Sequence, residues 1–247
     1  MNRRRFLKSS LLWVPSAPYI VKAAVLPNQR HVAAKAAAGS SGPSYIFQEN
    51  FETPTTGYEN TWFGTAAGGT LAPATSTSGL SLQGAQCLHI IATAQGTFTS
   101  ANFTSSPEIY IYLLFRIHST AAANKVPLSL LDNTSTTFLQ LYILATSQLD
   151  FYDGSNEAKP TDATGLDTSY SVWLHYKKGT GANAVMEVEY ATTPTQVGSG
   201  SKYASFSNGV GTSNVTGINL GDTSAYTSDL YFDKLRISTT PIGSNPT

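Results

Sequence analysis

From Tyr45 onward, apolar residues alternate with polar ones in short runs, separated by clusters of Gly, Pro, Asn, Ser and Thr. A period of two sends successive side chains to opposite faces of an extended chain, so each run predicts one strand. The runs are Tyr45 to Phe51, Cys87 to Ile91, Glu108 to His118, Val126 to Leu131, Phe138 to Ala145, Leu149 to Tyr152, Val172 to Lys177, Val185 to Ala191, Val215 to Leu220 and Leu230 to Ser238. No segment after residue 44 carries a helical period. Asp153-Gly154 and Lys178-Gly179-Thr180-Gly181 predict turns, because glycine reaches positive φ without steric penalty. About ten strands without helical crossovers must pair mainly antiparallel, and a double sheet or a barrel solves their edge problem. The expectation is an all-β, two-sheet antiparallel sandwich. Spacing alone does not separate an immunoglobulin-like stack from a jelly roll, but the length exceeds the roughly 100 residues of the former.

Splitting the runs by parity gives each strand a core side and an opposite side. Ile109, Ile111, Leu113, Phe115 and Ile117 form one side of their strand, and Tyr110, Tyr112, Leu114, Arg116 and His118 the other. Leu139, Leu141 and Ile143 point inward and leave Gln140 and Tyr142 outward; Val172, Leu174 and Tyr176 leave Trp173, His175 and Lys177 outward. Met186, Val188 and Tyr190 likewise leave Glu187 and Glu189 outward. If the outward sets share one sheet, they make a platform of rings interleaved with Arg, His, Gln and Glu. That is the chemistry of sugar recognition, in which rings cover the C–H faces of a pyranose and fixed polar groups bond its hydroxyls. The candidate carbohydrate-binding residues are Tyr110, Tyr112, Arg116, His118, Gln140, Tyr142, Trp173 and His175. The competing reading is that Tyr and Trp are good strand residues on a half-solvated face, with Trp173 buried under a loop.

Composition restricts the partners. Seven of the 15 basic residues precede Tyr45 and all 15 acidic ones follow it, which leaves the chain from Tyr45 a formal charge of −7. Nucleic acid and anionic membranes bind chiefly through Lys and Arg, so an acidic surface disfavours both. Cys87 is the only cysteine, which excludes an intrachain disulfide, and its apolar neighbours point to packing. A monomer is expected.

The N-terminus predicts an address. Asn2-Arg3-Arg4-Arg5-Phe6-Leu7-Lys8 resembles a bacterial twin-arginine export signal, with Arg3, Arg4, Phe6, Leu7 and Lys8 as the recognised residues. A short apolar run, Leu11 to Val14, is broken by Pro15 and Pro18, far short of the roughly 20 apolar residues of a membrane anchor. The expected organisation is a signal peptide over 1–23, a flexible Ala-, Gly- and Ser-rich leader over 24–44, and one sandwich domain over 45–247. The implied location is periplasmic or extracellular, with no membrane insertion once the signal is removed.

Three segments carry a family resemblance. Phe47-Gln48-Glu49-Asn50-Phe51-Glu52, Ser171-Val172-Trp173-Leu174-His175-Tyr176 and Leu230 to Ser238 are similar to the first, middle and last strands of concanavalin A-like domains of the laminin G type. The resemblance implies a jelly roll of two curved sheets, a concave face that carries glycans, and first and last strands lying side by side. It also implies a place for a structural calcium. Asp233 shares the parity of Leu235 and Ile237, so its carboxylate turns toward the core, and Glu49, Asn50 and Glu52 on the adjacent strand could offer oxygens. The candidate ligands are Glu49, Glu52 and Asp233; the alternative is that Asp233 accepts hydrogen bonds without an ion.

Catalytic signatures are weak. Glu187-Val-Glu189 places two carboxylates about 7 Å apart on one face, but the Glu-x-Asp-x-x-Glu pattern of laminarinase-like families is missing its middle Asp and final Glu. A lyase needs a Tyr or His base and an Arg or Gln to neutralise a uronate. Arg116, His118, Gln140, Tyr142 and His175 supply those types, while Gln86-Cys87-Leu88-His89 and Tyr176-Lys177-Lys178-Gly179 only echo alginate lyase motifs. The four histidines show no close ligand pair, no phosphate-binding loop exists and no Gly-x-Ser-x-Gly elbow is present. The sequence reads as an exported, non-catalytic polysaccharide-binding domain. Its rivals are a structural or adhesive protein with a protein partner, and a polysaccharide lyase or glycoside hydrolase.

Overall fold

Antiparallel pairing organises the chain after residue 43. The computed structural model describes residues 43–53, 59–66, 69–75, 82–92, 97–120, 125–161, 164–192, 202–207, 211–222, 228–243 and 246. The expected export signal over 1–23, with Arg3, Arg4, Phe6, Leu7 and Lys8, lies outside the described residues, as does all but the end of the 24–44 leader.

Among the described residues, fifteen strands form two sheets. One sheet contains β1 (Tyr45–Glu49), β3 (Gly69–Thr75), β4 (Gln86–Ala92), β6 (Glu108–Thr120), β11 (Ser169–Lys177), β12 (Val185–Thr192), β13 (Lys202–Phe206) and β15 (Ser228–Ser238). Their order is β13-β12-β11-β6-β15-β4-β3, with β1 also on β15. The other sheet comprises β2 (Phe63–Ala66), β5 (Thr97–Ser106), β7 (Lys125–Leu131), β8 (Thr137–Ile143), β9 (Leu149–Tyr152), β10 (Glu157–Ala158) and β14 (Val215–Asp222), in the order β10-β9-β8-β7-β14-β5-β2. All their pairings are antiparallel. The protein is a two-sheet jelly-roll sandwich, and the first and last strands pair directly through Phe47 opposite Ile237 and Glu49 opposite Leu235. The only helical turn among the described residues is a 3-10 turn at Gly181–Asn183, inside the predicted β11–β12 connection.

The inward parity sets fill the space between the sheets. Ile109, Ile111, Leu113, Phe115 and Ile117 join Leu139, Leu141, Ile143, Val172, Leu174, Tyr176, Met186, Val188 and Tyr190 in one buried cluster. Burying one such Leu, Ile or Phe side chain contributes about 1.5–3 kcal/mol, which makes this layer the main source of stability. Strands β2, β3, β5, β10 and β13 escaped the sequence pattern. β2, β3 and β5 are rich in Thr, Ser, Gly and Ala, as in Thr97-Phe98-Thr99-Ser100-Ala101 of β5, so hydropathy does not alternate even where the backbone does, while β10 and β13 are too short to show a period.

One irregularity shapes the middle of the eight-stranded sheet. β15 pairs with β4 over Ser228–Phe232 and with β1 over Leu235–Ser238, while β6 runs along its other side. Where β4 gives way to β1, the register against β6 slips by one residue and Lys234 adopts φ +48°. An extra residue at this point is a β-bulge, which flips the parity of β15: Asp233 stands opposite Leu114 on the outer side, and not on the core side of Leu235 and Ile237 that its parity predicted.

Candidate functional site

Six of the eight predicted sugar-binding residues stand on the outer face of the eight-stranded sheet. The register sets Tyr112 beside Trp173 and Tyr110 beside His175 across β6 and β11, and continues to Glu189 and Glu187 on β12. Further along β6, Arg116 lies opposite Tyr231 of β15, which lies opposite His89 of β4. His118 comes after Arg116 on the same side of β6. Gln140 and Tyr142 belong elsewhere: β8 pairs with β7 and β9 in the seven-stranded sheet, so both lie across the molecule from the other six. A single platform of all eight residues is therefore excluded. Parity says that a side chain points away from the core, not which sheet carries it.

The middle of this outer face is covered. Tyr112, Leu114, Trp173 and Ala191 pack with Ile242 from the C-terminal segment, with Tyr45 and Leu82 against them. Tyr112 and Trp173 are each only 2% exposed, and the Trp173 indole N–H is buried without a hydrogen-bond partner. Tyr112 and Trp173 thus form a small second core, and a sugar ring cannot lie on them in this arrangement. The loop-burial reading of Trp173 is the one the structure matches.

Two polar clusters remain on either side of that apolar patch. In the first, the buried His175 bridges two carboxylates, with Nδ1 2.7 Å from Glu187 Oε2 and Nε2 3.0 Å from Glu108 Oε1. The Tyr110 ring stacks on the imidazole at 4.1 Å and donates its hydroxyl to Glu108. Tyr203 donates to Glu187, and Lys177 pairs with Glu108. Burial opposes the charge on Glu108, yet hydrogen bonds from His175, Tyr110 and Lys177 hold its carboxyl below the ordinary value. Burial, then the Glu108 charge, push the Tyr110 hydroxyl up. Every polar group here is engaged with another, so the cluster fixes β6, β11, β12 and β13 to one another.

The second cluster is more open and lies around Tyr231. His89 stacks on that ring at 4.2 Å and an interplanar angle of 7°, the Arg116 guanidinium lies 5.8 Å from its centre, and His118 meets it edge-on at 6.5 Å. His89 Nε2 is 2.7 Å from Asp229, while Asp167 takes both Arg116 at 2.9 Å and His118 at 2.6 Å. The His118 side chain is 47% exposed and that of Asp167 51%. The Asp167 hydrogen bond raises the His118 pKa, and His118 and Arg116 in turn hold Asp167 down. Burial, followed by the Asp229 charge, pushes the Tyr231 hydroxyl up to about 12. Arg116 Nε is buried and without a hydrogen-bond partner, so one donor of the guanidinium is unused. His89 stood out only in the Gln86 to His89 echo of an alginate lyase motif and Tyr231 only within the closing strand; Asp229 and Asp167 did not stand out in the sequence. His89 and Tyr231 sit in alternating runs, but nothing local shows that β4, β15 and β6 are neighbours in that order.

The expected calcium ligands separate into two groups. Glu49 is fully buried and accepts backbone N–H bonds from Phe51, Glu59 and Asn60, together with the Asn60 amide and the Trp62 indole N–H. Its oxygens anchor the turn after β1 and are not free for an ion. Glu52 and Asp233 do face a common pocket of about 190 Å³, lined also by Asn50, Gln83, Gly84 and Lys234. Glu52 accepts from the backbone of Ala85 and Gln86, and Asp233 from that of Gln83 and Lys234. Asp233 is 2% exposed, and burial pushes its carboxyl up to about 8 against the opposing pull of those two N–H groups. Among the described residues no group of three or more His, Cys, Asp or Glu side chains is arranged to hold a metal. Cys87 is buried beside Tyr231, and burial followed by the Asp233 charge raises its thiol to about 12, which makes it a packing residue.

No protein-family model and no curated relative matches the sequence. Solved structures do share the fold. An endo-β-1,4-glucuronan lyase from the fungus Trichoderma reesei superposes with a TM-score of 0.63 at 12% identity, over 83% of this chain and 100% of that one. A PL-14 alginate lyase from the marine Aplysia kurodai gives 0.60 at 8% identity, over 79% and 99%. The cellulose-induced protein Cip1 gives 0.55 at 14% identity, over 80% and 99%. At such identities the likeness establishes the sandwich fold alone.

Proposed function

We propose that this protein is a polysaccharide-binding module without catalytic activity, and that its ligand lies on the outer face of the eight-stranded sheet beside Tyr231, Arg116, His118 and His89. The observation that carries this reading is the open second cluster. The exposed His118 and Asp167 and the partly exposed Arg116 and His89 converge there over the buried Tyr231 ring, offering fixed hydrogen-bonding groups to the hydroxyls of a glycan. A glucuronan lyase and an alginate lyase among the proteins of like fold are in keeping with a saccharide ligand.

Proton affinities favour binding over catalysis. A lyase base works best with a pKa near the operating pH. The Tyr231 and Tyr110 hydroxyls are both shifted up and away from that range. The lyase reading stands second because Arg116 beside two histidines and a tyrosine is the set of side chains that uronate elimination uses. One experiment separates the two. The purified chain is applied to an array of neutral and acidic polysaccharides, read for retention and for the ultraviolet absorbance of an unsaturated uronate. Retention without product supports the module, product supports the lyase, and the absence of both leaves the adhesive alternative with a protein partner.

Two further parts of the proposal rest on sequence alone or on few groups. Export by the twin-arginine route rests on the Asn2 to Lys8 pattern and predicts a mature chain in the periplasm or medium. A structural calcium rests on Glu52 and Asp233, which would hold it between the bulge of β15 and the loop before β4.

A further inference from the structure

The outer side of the seven-stranded sheet carries a row of neutral polar side chains that the register aligns. Ser100 on β5, Asn219 on β14, Ser129 on β7, Gln140 on β8 and Tyr152 on β9 stand opposite one another on successive strands. Four strand spacings of about 4.8 Å give the row a length of about 19 Å. Their alternating neighbours Ile218, Leu220, Leu128, Leu139, Leu141 and Phe151 are core, which forces this row to the far side. Ser100 donates to Asn219 Oδ1 at 2.6 Å, Gln140 Nε2 reaches Ser129 Oγ at 3.5 Å, and Tyr142 donates to Gln140 Oε1 at 2.8 Å. Tyr142 then meets Tyr152 edge-on at 5.8 Å.

At its β5 end the row opens into a cavity of about 460 Å³, within the usual range for ligand pockets. Phe98 and Leu131 give it apolar walls, and Ser100, Asn102, Thr137 and Asn219 give it amide and hydroxyl groups. Gly217 stands on β14 between Asn102 and Leu131. A Cβ there would fall 2.7 Å from Asn102 Oδ1 and 3.0 Å from the Ala101 carbonyl, so only glycine leaves room for the Asn102 amide to pack over β14 at this point. The lining contains no ionisable side chain, in contrast to the Arg, His and Asp groups of the opposite face. A charged ligand would lose hydration here without gaining a counter-charge, whereas a neutral polyol can exchange its water hydrogen bonds for amides and hydroxyls.

We propose that this face is a second binding site, specific for a neutral saccharide, with one sugar in the cavity against Asn102 and Thr137 and the chain passing over the buried Ser129 to Gln140, Tyr142 and Tyr152, where the carboxylates Asp150 and Glu157 stand opposite the two tyrosines and would repel a uronate. Gln140 and Tyr142, which the opposite face does not include, act here. The site stands whether or not the charged cluster binds a glycan.

The test is an NMR titration of the isotope-labelled full chain with gluco-, xylo-, manno- and galacto-oligosaccharides, and separately with an oligouronate. At least one neutral series should give saturable shifts at the side-chain amides of Asn102, Asn219 and Gln140, and the oligouronate should give none there. Asn102 and Thr137 are exposed, so Asn102→Asp and Thr137→Trp leave the core intact; each should weaken that binding about tenfold or more. The proposal is overturned if no neutral series moves these amides, if the oligouronate binds them equally well, or if both variants retain full affinity. Shifts at Arg116 and His118 in the same titrations report the opposite face separately, so failure of one site is distinguishable from failure of the other.

Discussion

Replacing Asp233 by Asn should flatten the dependence of stability on pH. The Asp233 carboxyl is 2% exposed in the bulge of β15, and burial pushes its pKa up to about 8, against an ordinary value of 3.8. An acid with a raised folded pKa keeps its proton in the native state after the unfolded chain has released it. Unfolding then releases a proton, and stability falls as pH rises between the two values. Each pH unit inside that window is worth about 1.4 kcal/mol, so the wild type should lose about 3 kcal/mol between about pH 5 and about pH 7 through this group. Asp150, raised to about 6 by burial and then by the Glu157 charge, acts in the same direction but is present in both proteins. The Asp233→Asn variant would lose one acceptor for the Gln83 or Lys234 N–H, at about 1 kcal/mol, so absolute stability also moves; the slope is the diagnostic quantity. Urea unfolding of both proteins in chelator at a series of pH values measures it. Equal slopes would refute the assignment. Saturating calcium supplies the second arm: an ion on Glu52 and Asp233 would hold the carboxylate ionised and erase the wild-type slope, and a slope that calcium leaves unchanged removes the ion from this site.

Three other outcomes are expected. Trp173→Ala should cost about 3–5 kcal/mol in chemical denaturation, because it empties the small core under Ile242, and a cost under about 1 kcal/mol would contradict that burial. Gly221→Ala should lower the midpoint of thermal unfolding, since Gly221 sits at φ +104° with a Cβ position 2.4 Å from the Thr97 carbonyl; an unchanged midpoint would mean that the strand relaxes freely. At the proposed glycan face, Asp167 holds the His118 pKa up, so the imidazolium pair is complete at low pH and is lost as pH rises through that raised value. Asp167→Asn should move the His118 titration to lower pH in an NMR pH series, and glycan retention at this face should fall in parallel in wild type and at lower pH in the variant.

Much of the architecture was legible because burial of one strand face imposes a period of two. The runs at Glu108 to His118, Val172 to Lys177 and Val185 to Ala191 became β6, β11 and β12, and their inward sets are the core. The pairing of first and last strands, implied by family resemblance, is present as β1 on β15. The Thr- and Ser-rich β5 and the five-residue β13 were invisible, because backbone pairing to a neighbour holds them rather than their own hydropathy. Residues of the site divide the same way. Parity correctly turned Tyr112, Trp173, Gln140 and Tyr142 from the main core, yet two of them lie under Ile242 and two lie on the other sheet.

By itself, then, the chain determined which side of a regular strand faces inward, since that depends only on the order of apolar and polar residues along one segment; the bulge of β15, which moves Asp233 to the side opposite Leu235, is the exception. Tertiary structure alone decided which strands became neighbours, and so assembled Arg116, Tyr231 and His89 from three segments into one patch and covered Trp173 with a residue 69 positions away in sequence. The physical reason is that alternation is a local property, while sheet order and the covering of a face arise from contacts between segments far apart in the chain, where no single run carries the information.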